Sequence, residues 1–231
     1  GVRETWYSAR VSADAPGGVD NRGLHRSYLD LEIDVRTPVL ERTFHRKGTG
    51  GMRHTIEPFF TWRRIYGVSR LDETIRFDAE DAIADTNELE YGMVHRLYRG
   101  APAGEGGSAE ILSLGLVQKY YFDPTFGGAF REGEANAFSP LDTATGFYRS
   151  TASANFAPLS ATLQFTPRTG IHNDVRADFD TRRGNWSNVS VATEWRQGPV
   201  SLSGTYFYIN PRGGAFLSGN HLQAQVEFGS R

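Results

Sequence analysis

Histidine is the residue type in this sequence best suited to acid–base catalysis or metal binding, because its pKa lies near neutrality. No two histidines have the i, i+4 spacing of metal ligands on one helix face, and no Gly-x-Ser-x-Gly motif marks a nucleophile. Cysteine is absent, which excludes disulfides, thiolate zinc sites and cysteine nucleophiles within this sequence. We therefore predict no catalytic residue, no metal ligand and no cofactor. A Ser/His/acid hydrolase stays open as a minor alternative that would use one of His25, His45, His54, His95, His172 and His221.

Carboxylates come together in sequence at one place. Asp78, Asp81, Asp85 and Glu88 could supply oxygen ligands to a divalent cation. Their spacing does not match an EF-hand loop, and a solvated loop leading into a strand explains them more simply. We interpret this acidic cluster as a polar loop and keep a cation site as the weaker hypothesis.

Arginine side chains could bind phosphate groups through paired hydrogen bonds. The formal net charge is only −2, so the bases are balanced by acids, and nucleic acid is not predicted as a partner. We favour the interpretation that these arginines are solvated charges on a sheet face or rim. The set comprises Arg36, Arg42, Arg46, Arg53, Arg63, Arg64, Arg182 and Arg183.

The pattern that must position these residues has a period of two. In residues 29–36, Leu29, Leu31, Ile33 and Val35 alternate with polar residues, which places the aliphatic side chains on one face of a strand. The pattern recurs near the start of the chain, where Tyr7, Ala9 and Val11 are predicted on the apolar side and Trp6, Ser8 and Arg10 on the other. Along the whole chain it predicts about eleven strands, many longer than the usual five or six residues. No apolar run approaches the roughly 18 residues of a membrane helix. Long polar connections alternate with tight turns in the first part of the chain, and Pro58 is expected at a bulge or before the regular part of its strand.

Two solvents can explain one apolar and one polar face. In a soluble β-sandwich the apolar face is a shared core, whereas in an outer-membrane barrel it meets lipid. Strand length, aromatic residues near strand ends and charges of both signs in mid-strand favour the barrel. The predicted fold is thus all-β: an antiparallel transmembrane outer-membrane β-barrel, with a sandwich as the alternative. By parity alone, the candidates for lumen-facing residues are Asp30, Glu32, Asp34, Glu88, Glu90, Arg96, Asp174, Arg176, Asp178, Glu194 and Arg196.

Three ordered segments are similar to those of a known family. Residues 53–60 (RHTIEPFF), 84–92 (ADTNELEYG) and 117–122 (VQKYYF) resemble the barrel domain of lipopolysaccharide transport protein D, the organic solvent tolerance protein family. Phe138-Ser139-Pro140-Leu141 resembles a segment that follows in many members. The resemblance covers most of residues 50–210, and the order of the motifs is more specific than any one of them.

The resemblance implies a non-enzymatic translocon wall in the Gram-negative outer membrane that inserts lipopolysaccharide into the outer leaflet. Implied partners are lipopolysaccharide, a plug lipoprotein (protein E of the same transport system), a periplasmic bridge component and outer-membrane lipid. Residues 1–231 are expected to be part of a single barrel domain, with the family's jellyroll and terminal gate strands outside this sequence. A general porin or substrate-specific channel is the main alternative, ahead of an outer-membrane lipase or protease.

Overall fold

The computed structural model describes residues 1–12, 14, 18–46, 49–75, 81, 83–100, 107–124, 144, 154–210 and 219–229. Apart from a short 3-10 turn at Leu71–Glu73 and the 3-10 residue Gly18, the regular structure of these residues is β. No helix within them is long and apolar enough to cross a membrane. The strands are β1 (Val2–Tyr7), β2 (Arg10–Val11), β3 (Val19–Asp20), β4 (Leu24–Arg36), β5 (Leu40–Arg46), β6 (Thr49–Tyr66), β7 (Thr86–Gly100), β8 (Ser108–Tyr121), β9 (Leu159–Arg168), β10 (Ile171–Asp180), β11 (Asn185–Gln197), β12 (Val200–Ile209) and β13 (Gly219–Phe228).

Eleven of these strands form one sheet, in the order β1-β4-β6-β7-β8-β9-β10-β11-β12-β13, with β5 also pairing with β6. Every pairing in this sheet is antiparallel. The short strands β2 and β3 form a separate ribbon. Neighbours in the sheet are mostly neighbours in sequence, as expected for strands joined by hairpin-like connections. The all-β antiparallel prediction is confirmed.

Proline 58 occupies a different place from the one predicted. β6 begins at Thr49, so the strand is regular well before Pro58, and the expectation that it starts afterwards is wrong. On one side β6 pairs with β5 and then with β4, and the break between these two strands lies opposite Pro58. There the Pro58 carbonyl accepts hydrogen bonds from the backbone N–H and the hydroxyl of Thr37. Because a residue's N–H and C=O face the same neighbour in an antiparallel ladder, the missing donor falls at this break.

One face of the sheet is apolar from β4 to β13, and we call it the apolar face. Cross-strand partners project to the same side, so the register traces the face directly. Several of its side chains are exposed, among them Ile33 at 56% and Leu222 at 75%. Among the described residues no second sheet covers this face, which is the arrangement expected of a surface in contact with lipid. One of its rows runs Leu114, Leu163, Val175, Val191, Tyr206 and Leu222.

The first strand faces the opposite way from the sequence interpretation. Alternation in the sequence predicts Tyr7 on the apolar face and Trp6 on the opposite face. In the structure Trp6 pairs with His25, which shares the face of Leu29, and the two rings stack with centroids 4.0 Å apart. Tyr7 instead lies on the polar face. β1 is too short and too mixed for alternation alone to fix its orientation.

The two ends of the sheet differ in the lengths of their connections. At one end, which we call the long-loop end, lie connections 8–23, 67–85, 122–158, 181–184 and 210–218. At the other, the short-turn end, lie connections 47–48, 101–107, 169–170 and 198–199. In outer-membrane barrels the short turns face the periplasm and the long loops face outward. A ten-residue strand such as β10 is about 33 Å long, which at a tilt of about 40° spans the roughly 25 Å of an apolar band.

Candidate functional site

All eleven residues predicted to face a lumen lie on one side of the sheet, which we call the polar face. Glu32 pairs with Arg63, and Arg63 pairs with Glu88, which carries this face from β4 to β7. Since side chains alternate along each strand, the remaining candidates share the face by parity. The connecting pairs are Glu90 with Lys119, Gly115 with Thr162, Thr162 with Arg176, Arg176 with Ser190, and Glu194 with Ser203.

On β4 to β8 several acids of the polar face are neutralised by bases on neighbouring strands. Arg63 forms a two-pronged ion pair with Asp30, at 3.1 and 2.7 Å. Lys119 lies between Glu88 and Glu90, at 3.4 and 3.6 Å. Each of these contacts joins two different strands, so it forms only once the register between those strands is set.

A similar arrangement is centred on Arg96 of β7. Its guanidinium lies 3.2 Å from Glu57 of β6 and 3.3 Å from Glu110 of β8. Glu57 and Glu110 were not among the candidates. Glu57 is followed by Pro58, and Glu110 adjoins a bulge at which β8 contains one extra residue relative to β7. Both features obscure the alternation from which parity was read.

Toward β10 and β11 the candidates pair within their own strand. Arg176 bonds to Asp174, and Arg196 to Glu194, each at 2.9 Å. The same contact links Asp34 and Arg36 on β4, also at 2.9 Å. The polar-face residues around the β10 and β11 pairs are mostly hydroxyls and amides: Ser160, Thr162, Gln164, Ser190, Ser201, Ser203, Thr205, Gln223 and Gln225. This part of the face offers neutral hydrogen-bonding groups and exposed charges.

Connection 67–85 folds over the polar face at the long-loop end. Arg26 is only 2% exposed and donates to the backbone carbonyls of Asp81 and Ile83, at 3.1 and 3.0 Å. The Tyr7 hydroxyl donates to the Asp81 carboxylate at 2.6 Å. Arg26 and Tyr7 both project from the polar face of β4 and β1. The connection is therefore anchored inside this face rather than extending away from it.

Connection 122–158 also reaches the polar face. Asp178 of β10 is fully buried and accepts hydrogen bonds from the Ser160 hydroxyl and the Ala144 backbone N–H, each at 2.8 Å. Ala144 belongs to this connection. The structure thus places Asp178 on the predicted face but beneath a loop, in contrast to the exposed pairs further along the sheet.

The loops at this end are joined to one another by ion pairs. Glu73 accepts hydrogen bonds from Arg70 and Arg10, and Arg10 also lies 3.5 Å from Asp20. The hydrogen bonds from Arg70, followed by those from Arg10, lower the pKa of Glu73 from 4.5 to about 2. The backbone N–H of Arg22 lowers the pKa of Asp20 in the same way. Both carboxylates are ionised at neutral pH and tie the β2–β3 ribbon to connection 67–85.

The described members of the acidic cluster have protein partners. Asp81 is bonded to Tyr7, Asp85 accepts from the Val68 N–H at 2.7 Å, and Glu88 is paired with Lys119. Asp78 lies outside the described residues. No group of three or more histidine or carboxylate side chains is placed to hold a metal ion in the described ranges. These bonds support the interpretation of the cluster as a polar loop.

Sequence spacing missed one pair of histidines. His54 of β6 and His95 of β7 lie side by side on the apolar face, with Nε2 and Nδ1 3.2 Å apart. Their separation in sequence hides the contact, which follows from the β6–β7 register. The signal available beforehand was that His95 interrupts the apolar parity of its strand. The segment Phe138-Ser139-Pro140-Leu141 lies outside the described residues.

An antiparallel sheet with strands of spanning length, an uncovered apolar face and an ion-paired polar face is the wall of an outer-membrane β-barrel. These features identify the protein as an outer-membrane β-barrel protein. The sequence matches the family model of LptD, LPS transport system D, over residues 1–229, and the chain belongs to this family. Its role is in lipopolysaccharide transport and assembly at the outer membrane, in a family of transport proteins. No curated protein matches the sequence significantly.

Proposed function

We propose that this chain forms part of the wall of the lipopolysaccharide translocon, with residues 1–231 belonging to a single barrel domain. The apolar face anchors the wall in lipid, and the polar face lines the interior through which saccharide and phosphate groups pass. The observation that carries the proposal is the separation of the two faces over the nine consecutive pairings of one sheet. Charges in mid-strand would cost about 2–4 kcal/mol for each basic residue if they met the bilayer midplane instead.

The ion pairs of the polar face suit the passage of an anionic lipid. An uncompensated arginine in the interior would bind phosphate tightly and slow its release. Arg63, Arg96 and Lys119 are each engaged by carboxylates of the same face. The lining is thus hydrophilic without strong excess charge of either sign, so a phosphorylated saccharide is solvated but not trapped.

The two ends of the sheet suit two different partners. The short-turn end faces the periplasm on this proposal, where the bridge component delivers lipopolysaccharide. The plug lipoprotein occupies the interior against the exposed pairs and hydroxyls of β10 to β13. At the long-loop end, Asp81 and Ile83 of connection 67–85 and Ala144 of connection 122–158 contact the polar face, an arrangement that disfavours a freely open porin.

Adjacent residues of β9 provide the test. Leu163 pairs with Leu114 and Val175 on the apolar face, whereas Gln164 pairs with Ser113 and Asp174 on the polar face. We expect Leu163→Arg to lower the free energy of unfolding in bilayers by about 2–4 kcal/mol and to reduce lipopolysaccharide at the cell surface. Gln164→Arg, which places a base opposite Asp174, should be nearly neutral.

Cysteine labelling gives an independent readout, because this chain contains no cysteine. A membrane-impermeant maleimide should modify Gln164→Cys and spare Leu163→Cys in intact membranes. Equal tolerance of arginine and equal labelling at the two positions would contradict the assignment of the faces. If the protein conducts ions, and if a strain depleted of it still delivers lipopolysaccharide normally, the chain is a porin instead.

A further inference from the structure

A groove lies on the apolar face between β4 and β6, near the long-loop end. Its volume is about 250 Å³, and it is lined by Leu29, Leu31, Trp62, Arg64 and Tyr66. Leu29 pairs with Tyr66 and Leu31 with Arg64, so the groove runs along two neighbouring strands. It combines aliphatic side chains, two amphipathic aromatic rings and one cation on a face that is mostly apolar.

Arg64 is the unusual member of this set. It projects from the apolar face, where its guanidinium lies 5.9 Å from the centre of the Tyr66 ring. In the part of the chain that the structure describes, no carboxylate forms an ion pair with it. β6 ends at Tyr66, which places Arg64 near the level of the lipid headgroups. There a base on the membrane-facing side costs only about 0–1 kcal/mol, so the position is tolerated and the charge stays available.

The rest of the groove supplies a surface for an acyl chain and its headgroup. Leu29 and Leu31 are 38% and 41% exposed and form an aliphatic floor. The indole N–H of Trp62 donates to the Asn87 side chain at 2.9 Å, which holds the ring in place beside Arg64. Tryptophan and tyrosine are the residues that favour the boundary between hydrocarbon and headgroups.

We propose that this groove binds lipopolysaccharide on the outer surface of the wall, with Arg64 hydrogen-bonded to a phosphate of its lipid A part. The guanidinium matches a phosphate in paired geometry, and an acyl chain lies along Leu29 and Leu31. The choice of this lipid rests on the proposed function, which places the long-loop end in the outer leaflet. The groove is one strand away from β1, since Leu29 also pairs with Val2.

Arg42 provides a matched control. It also projects from the apolar face, as the partner of His54, and lies 5.0 Å from the centre of the Phe44 ring. It differs in lying toward the short-turn end. A loss of binding specific to Arg64 therefore reports on the groove rather than on any arginine–aromatic pair of this face.

The experiment uses the full-length protein in phosphatidylcholine nanodiscs, with diphosphoryl lipid A as the probe and native mass spectrometry to count bound lipid. We expect Arg64→Gln to weaken retention of lipid A about tenfold, as the loss of one charged hydrogen-bonding group implies. Arg42→Gln should bind diphosphoryl lipid A like the wild type, and Arg64→Lys should bind it with an affinity between those of the wild type and Arg64→Gln. The wild type should bind dephosphorylated lipid A as weakly as Arg64→Gln binds diphosphoryl lipid A.

Three results would overturn the proposal. The first is that Arg64→Gln retains as much diphosphoryl lipid A as the wild type does. The second is that the wild type retains dephosphorylated lipid A as well as diphosphoryl lipid A. The third is that phosphatidylglycerol competes as well as lipid A does, which would identify a general phospholipid site. Delivery of lipopolysaccharide to the cell surface is measured in parallel. A wild type that binds lipid A but delivers none would refute the translocon role, whereas delivery without groove binding would refute only this site.

Discussion

The polar face differs sharply between its two ends. At the long-loop end it is covered and its polar groups are buried, as shown by Arg26 at 2%, Asn188 at 3% and Asp178 at 0% exposure. Toward the short-turn end its charges are exposed, as in the pair of Glu194 and Arg196, whose side chains are 46% and 66% exposed. The same strands and the same alternation contribute to both ends.

This difference shows that one sheet face can carry two kinds of polar chemistry. Buried polar groups hold loops in place because an unsatisfied group away from water is costly, whereas exposed ion pairs contribute little to stability. We infer that buried polar contacts hold the described parts of the loops against the face at the long-loop end, whereas the charges toward the other end stay exposed. Matched pairs of substitutions on one strand test whether the two ends differ in this way.

The largest difference is expected on β10, between Asp178 and Asp174. Asp178→Ala removes the acceptor for Ser160 and the Ala144 N–H in a buried setting, which should cost about 3 kcal/mol of unfolding free energy. Asp174→Ala removes a pair with Arg176, whose side chain is 54% exposed, and should cost less than about 1 kcal/mol. Denaturant titration in bilayers, with proteolysis of connection 122–158, measures both. Similar costs would show that the two ends do not differ.

The next comparison uses the two ends of β4. Arg26→Met leaves the carbonyls of Asp81 and Ile83 without their buried donor and should cost about 2 kcal/mol. Arg36→Met breaks only an exposed pair with Asp34 and should stay within about 0.5 kcal/mol. Hydrogen exchange of the amides in 83–85 should accelerate in the first variant alone. Acceleration in both would mean that the loop is held by something other than Arg26.

The smallest effect is a pH dependence of the loop contacts. The pKa of Glu73 is lowered from 4.5 to about 2 in the folded state, so its contacts with Arg70 and Arg10 are stabilising above pH 4.5. They are lost progressively as pH falls through the folded value. We expect pepsin to cut connection 67–85 more slowly in the wild type than in Glu73→Gln at pH 4. At pH 2 the two rates should become similar. Comparing the two proteins at each pH cancels the pH dependence of pepsin itself. Equal cleavage rates of the wild type and the variant at both pH values would show that Glu73 does not hold this connection in place.

Several features were predictable because they depend on local geometry. Side chains alternate along any strand, so Asp30, Glu88 and Glu194 could be assigned to one polar face without knowing which strands pair. Where local order is imperfect the same reasoning was wrong or incomplete. It misassigned Trp6 and Tyr7 on the short β1, and it missed Glu110 beside a bulge.

Other features depend on residues far apart in the chain. The position of Pro58 opposite the break between β4 and β5, and the pairing of His54 with His95, require the register between strands. The loop contacts at the long-loop end depend on two anchors, Arg26 and Asp178, that lie on different strands. No local pattern encodes such contacts, because loop closure and pairing free energies are set by the whole sheet.

By itself, the sequence determined the strand content, the two faces and the family, since alternation and ordered motifs are properties of short segments. Only the tertiary structure decided which charges pair across strands, which end of the polar face is covered, and where an arginine is left beside a groove on the apolar face. The physical reason is that side-chain parity is local, whereas register and loop packing bring together residues that the chain keeps apart.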